Sequence, residues 1–172
     1  MRLPNAAHEA HPWVIAQIVS DFKLLDRRRS LIVLYDGDCG FCSVVLAMLL
    51  VWDRANRLGP VSIQSARGEE LLINVIRQDR LKSWHLVDAH GVLYSGGAGI
   101  HVVFGALPWG ALIARVARRF PKATSSAYEW VASHRALLGR PLTARPRAWA
   151  ALVIADHERS TNADPHRSGN TR

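Results

Sequence analysis

Leu31-Ile32-Val33-Leu34-Tyr35-Asp36-Gly37-Asp38-Cys39-Gly40-Phe41-Cys42 is the stretch from which the fold can be read. Its first five residues form a continuous apolar run rich in β-branched side chains, the pattern of a strand buried on both faces. Asp36-Gly37-Asp38 ends the run. Beyond it Val44, Val45, Met48, Leu49 and Trp52 recur at helical spacing, predicting a helix from Cys42 to about Asn56 that Leu58-Gly59-Pro60 stops. Cys39 and Cys42 therefore stand where a strand hands over to a helix. Three residues apart in a first helical turn, their Cβ atoms come within about 5–6 Å, and small adjustments reach the roughly 3.5–4.5 Å of a disulfide. Unpaired N–H groups and the helix dipole favour a thiolate there, lowering a thiol from about 8.5 into roughly the 3.5–7.5 range. Cys39, the outer member, is the expected nucleophile, and Cys42, one turn inside, the expected resolving thiol.

Working outward, Val61-Ser62-Ile63-Gln64 reads as a second strand, and 67–80 as a helix with Leu71, Leu72, Val75 and Ile76 inward. Trp84–Val87 and Val92–Ser95 flank Asp88-Ala89-His90-Gly91, a hairpin whose glycine can take positive φ. Helices are expected at about 97–106, 109–119 and 125–138. Upstream, Val14, Ile18, Phe22 and Leu25 share one helical stripe. Downstream of Arg140 the chain turns Pro- and Arg-rich, then polar, with a short apolar piece at Trp149–Ile154. The expected organisation is an N-terminal helical extension (1–29), an α/β domain (30–140) and a basic, then polar, largely disordered tail (141–172). The order strand, helix, strand, helix, hairpin, helix with a C-x-x-C pair beside a βαβ pattern signals a thioredoxin-like fold, here with an N-terminal helix and a C-terminal helical extension.

The run Asp36-Gly37-Asp38-Cys39-Gly40-Phe41-Cys42 after Leu31–Tyr35 resembles the DCC family of thiol-disulfide oxidoreductases, named for Asp-x-x-Cys-x-x-Cys; Asp36, Cys39 and Cys42 match it residue by residue. The resemblance extends through the hairpin and the helix around Ala127–Arg135, covering about 31–140. It implies disulfide exchange on a protein or small thiol/disulfide substrate. One departure from thioredoxin proper is Arg80-Leu81-Lys82-Ser83, which lacks a proline before the third strand. Without it, a structural pair, or one capturing a metal or cluster between two chains, stays open beside exchange. Asp36 also has two readings: a proton acceptor for Cys42, or a cap for loop N–H groups. Tyr35 and Phe41 read as packing residues, with an exposed apolar contact for a partner as the alternative for Phe41.

With 172 residues and 49% hydrophobic side chains, one buried core is expected. Two cysteines exclude a disulfide-dense scaffold and cannot alone close a tetrahedral zinc site. Gly97-Ala98-Gly99 fails as a dinucleotide loop because Val102 stands where the third glycine belongs. His8-Glu9-Ala10-His11 lacks further ligands nearby, and His85, His90 and His101 show no motif spacing. No cofactor or metal is expected. The chain carries 22 Lys plus Arg against 14 Asp plus Glu, and eight of the basic residues against one acidic lie in 101–147. That block suits a solvated face or a weak contact with an anionic membrane surface; no specific nucleic-acid partner is expected, since no base-reading motif accompanies it. The rival to an enzyme is an interaction module docking through these basic helices on membrane, nucleic acid or acidic protein. No apolar signal segment is evident near Met1, and the glycines of 89–114 argue against a spanning helix, so a cytoplasmic location is expected.

Overall fold

In a computed structural model describing residues 31–162, strand β1 (Leu31–Tyr35) lies inside a four-stranded sheet. β1 runs parallel to β2 (Leu58–Ser62) and antiparallel to β3 (His85–Asp88), which pairs antiparallel with β4 (Leu93–Ser95); the order is β2-β1-β3-β4. Alternation along β1 explains its unbroken apolar run. Leu31 and Val33 enter one core with Leu46, Leu49, Leu50, Leu58 and Leu86, whereas Ile32 and Leu34 enter a second with Ile63, Leu72 and Val87. The mixed α/β architecture, four strands and seven helices among the described residues, is that of a thioredoxin-like fold. The expected helix at 13–25 lies outside the described residues.

Helix α1 (Gly40–Trp52) begins two residues before the sequence-based start and ends earlier too. Its stop is Asp53, a buried carboxylate whose Oδ2 accepts the Leu58 N–H at 2.6 Å. Leu58, Gly59 and Pro60, read as a helix stop, instead form β2. The proline is tolerated because β2 is the edge of the sheet, where a missing N–H removes no ladder bond to an outer neighbour.

The single helix expected over 67–80 is two short ones, α2 (Ala66–Leu71) and α3 (Arg77–Arg80). Leu72 turns fully into the core while Ile76 stays 69% exposed, and the intervening Ile73-Asn74-Val75 is poor in helix formers. The hairpin forms as read, with Gly91 at φ 79°. A 3₁₀ turn (Gly96–Gly99) follows, then α4 (Ile100–Ala106), α5 (Ala111–Arg119) and α6 (Pro121–Leu138). The turn's glycines serve packing: a Cβ on Gly97 would strike Ser125, and one on Gly99 the Leu86 side chain.

The largest departure is at the C-terminal end. Ala144–Asn162, expected as part of a disordered tail, forms the 19-residue helix α7, packed along α1 and against β2. Ala150, Val153 and Ile154 provide an apolar stripe at helical spacing; Ala150 and Ile154 are buried, and Ile154 belongs to the larger core. Pro146 falls within the first turn, where its absent N–H has no intrahelical partner to lose.

Candidate active site

β1 delivers the chain to the loop Asp36-Gly37-Asp38 and Cys39 caps α1. Cys39 has an extended backbone (φ −88°, ψ 102°), and its Sγ accepts the Cys42 N–H at 3.3 Å. Its carbonyl accepts both the backbone N–H and the hydroxyl of Ser43, at 3.0 and 3.2 Å. Both cysteines are free, half-buried and close together. A thiolate at Cys39 would receive the N–H that a Ser or Asp receives in an ordinary N-cap.

The two thiols differ in surroundings. Burial, first, and then the hydrogen bond and charge of Cys39 push the Cys42 thiol up to about 12; the Arg135 guanidinium opposes the shift and the Asp36 carboxylate adds to it. Cys42 is therefore a held thiol at neutral pH.

Asp36 is engaged in building the loop. Its Oδ1 accepts the Asp38 N–H at 3.1 Å and the Gln64 amide at 2.7 Å, and its carbonyl accepts the Cys39 N–H at 3.2 Å. Gln64 closes the clamp: its Oε1 accepts the Gly37 N–H (3.1 Å) and the Ser62 hydroxyl (2.7 Å). The loop-capping reading of Asp36 describes these contacts. The sequence carries no local signal for this clamp, since nothing in the spacing of Gln64 marks a residue just beyond the end of β2 as a neighbour of Asp36.

Two cavities meet at the cysteines. Cys42 lines a cavity of about 510 Å³ walled by α1, α4, α5 and α6, with apolar side chains such as Val45, Leu49, Phe104, Val116 and Val131; Asp36, Ser83 and Arg135 are among its few polar neighbours. Trp84 and Tyr128 stack across this wall with ring centroids 6.1 Å apart, and the Tyr128 hydroxyl oxygen accepts the Trp84 N–H at 2.9 Å, tying α6 to β3. Burial raises the Tyr128 phenol, keeping it protonated. Cys39 opens instead on a smaller cavity of about 300 Å³, lined by Gly40, Phe41, Ala136, Gly139 and the arginines Arg135, Arg140 and Arg147. Arg147 lies so close over the pair that a Cβ on Gly40 would sit 2.8 Å from its Nε. Phe41 borders both cavities, and Arg135, which donates to the Leu81 carbonyl at 2.8 Å, does so too.

The basic block thus divides. Arg135, Arg140 and Arg147 gather at Cys39, whereas Arg115, Arg118, Arg119 and Lys122 are exposed on and just beyond α5. His85 is a satisfied core residue: buried, its ring is held neutral, with Nε2–H donating to the Arg80 carbonyl at 3.0 Å and Nδ1 accepting from the Ser95 hydroxyl at 2.7 Å. Among the described residues no three His, Cys, Asp or Glu side chains converge as metal ligands, and no helix is long and apolar enough to cross a membrane.

No curated protein and no solved structure matches the chain. Residues 33–141, more than half of it, match the model for DCC1-like thiol-disulfide oxidoreductases, and that match, with a C-x-x-C pair at the β1–α1 junction of a thioredoxin-like sheet, supports a redox thiol–disulfide role and places the chain in the DCC1-like thiol-disulfide oxidoreductase family.

Proposed function

We propose that the protein catalyses thiol–disulfide exchange with Cys39 as nucleophile and Cys42 as resolving thiol. The observation that carries the reading is the Cys42 N–H aimed at Cys39 Sγ, which stabilises negative charge on the outer sulfur while burial holds the inner thiol protonated. Cys39 thiolate attacks a substrate disulfide, forming a mixed disulfide and expelling one substrate sulfur as thiolate. Cys42 then gives up its proton and attacks Cys39 Sγ, closing the Cys39–Cys42 disulfide and releasing the second substrate thiolate. Two electrons pass from the dithiol to the substrate, and the reverse sequence oxidises a dithiol substrate. Asp36 positions the loop and, through its charge, helps keep the Cys42 proton in place. A C-x-x-C pair that cycles between dithiol and disulfide suits a cytoplasmic setting, where thiols are kept mainly reduced. Trapping with Cys42→Ser tests the reading: mixed disulfides on Cys39 are expected by mass spectrometry, and none forming with any protein or small disulfide would refute it.

A second reading concerns α5. Trp109 is 92% exposed, and Leu112, Val116 and Phe120 are exposed beside Arg115, Arg118 and Arg119. Apolar and basic side chains on and flanking one short helix suit a weak, peripheral contact with an anionic membrane. Sedimentation with anionic vesicles is expected to carry down the protein at low salt and to lose it in Arg115→Gln/Arg118→Gln/Arg119→Gln; equal sedimentation with neutral vesicles would exclude the electrostatic part.

A further inference from the structure

The cavity beside Cys39 has a composition the exchange chemistry does not itself require. Three arginines, Arg135 from α6, Arg140 from the turn after it and Arg147 from α7, line a space of about 300 Å³ that also holds the proposed nucleophile. No acidic side chain lines it, and among the described residues none of the three arginines is in an ion pair; the pairs present are Lys82–Asp79 and Arg159–Asp156. Arginine presents a planar fork of donors that matches a carboxylate with two parallel hydrogen bonds. The volume is at the small-molecule end of the range for ligand pockets, too small for a folded partner's surface.

Resting on the exchange reading above, we infer that this cavity selects a small thiol, or its disulfide, that carries carboxylate groups. Arg140 and Arg147 hold the carboxylates and the ligand's sulfur reaches Cys39 Sγ, with Arg135 between the two cavities. Cys39 thiolate attacks the anionic disulfide R–S–S–R to give Cys39–S–S–R and R–S⁻. Cys42, after losing its proton to solvent, displaces the second R–S⁻ from Cys39 Sγ. One small disulfide becomes two thiols, and two protein thiols become one disulfide; run backwards, two molecules of the anionic thiol reduce the pair.

The test has two arms. In the first, Cys42→Ser leaves Cys39 as the sole thiol, and its alkylation by iodoacetate and by iodoacetamide is compared with that of 2-mercaptoethanol. A preference for the anionic reagent is expected; it should fall roughly tenfold when Arg140→Gln and Arg147→Gln are added, persist in Arg140→Lys/Arg147→Lys, and shrink with added salt without any substitution. In the second, the reduced full chain is oxidised by 3,3′-dithiodipropionate, bis(2-hydroxyethyl) disulfide or cystamine, with the anionic disulfide fastest and the cationic slowest. Exchange that proceeds at rates indifferent to charge, or a preference that the glutamine variant retains, overturns the inference and leaves the exchange reading standing. Inertness toward all three disulfides, with the iodoacetate preference intact, overturns the substrate assignment, and the exchange reading falls with it only when Cys42→Ser also traps no protein disulfide.

Discussion

Cys39 and Cys42 are three residues apart in one helical turn, yet they open on unlike surroundings. The Cys42 side is a large apolar hollow between α1, α5 and α6, in which charge is costly. The Cys39 side is smaller and cationic, and its walls come from the end of α6 and from α7. A C-x-x-C pair is nearly symmetric as a sequence; its asymmetry here is imposed by elements arriving from far along the chain. Local position determines which sulfur caps the helix, and distant packing determines what each sulfur meets.

Cys39→Ser should abolish exchange and leave no trappable intermediate, whereas Cys42→Ser should keep the first step and stall; a mixed disulfide recovered on Cys42 in Cys39→Ser would reverse the roles. Next comes pH. Because burial raises the Cys42 thiol, release of the substrate from the mixed disulfide by Cys42 should accelerate about tenfold per pH unit through the mildly alkaline range, in proportion to its thiolate fraction. A rate that levels off near the ordinary thiol pKa would show that Cys42 is not shielded. The sign for stability follows from the same shift. The unfolded chain releases this proton first, so the contribution is complete below the ordinary thiol pKa and is lost as pH climbs toward about 12. Cys42→Ala should remove that part of the slope in denaturant titrations.

The apolar hollow can be sharpened as a binding volume with Ala132→Trp, which fills it from α6. Binding of a neutral apolar dye such as Nile red should weaken on the order of tenfold, while the iodoacetate preference at Cys39 stays on its own side of the turn. The smallest effect is expected from Asp36→Asn. Removing a carboxylate that raises the Cys42 thiol should bring that thiol down and speed resolution a few-fold at neutral pH; slower resolution would show that the loop contacts with Gln64 outweigh the charge.

How much of this was legible beforehand follows from the range of each interaction. β1, the hairpin and the cysteine junction are local signals: Leu31–Tyr35 has no polar break, Gly91 supplies the positive φ, and the pair sits where the apolar period changes from strand to helix. Pro60 reads locally as a helix stop, because a proline stops a helix wherever it falls but is tolerated in a strand only at an edge, and edge position is a property of the whole sheet. α7 reads locally as a tail, because its buried stripe is sparse and the arginines and proline around it have the composition of one. Gln64 and Arg147 reach the site only through tertiary packing, which no periodicity records.

α7 begins beyond residue 141, where the family match ends, yet it lends Ile154 to the core and Arg147 to the wall beside Cys39. The matched segment therefore holds the reactive sulfurs and two of the three arginines beside Cys39, Arg135 and Arg140, while α7 adds the third. An acid placed at 147 would therefore alter one wall of that cavity while Arg135, Arg140 and the two sulfurs stay where they are.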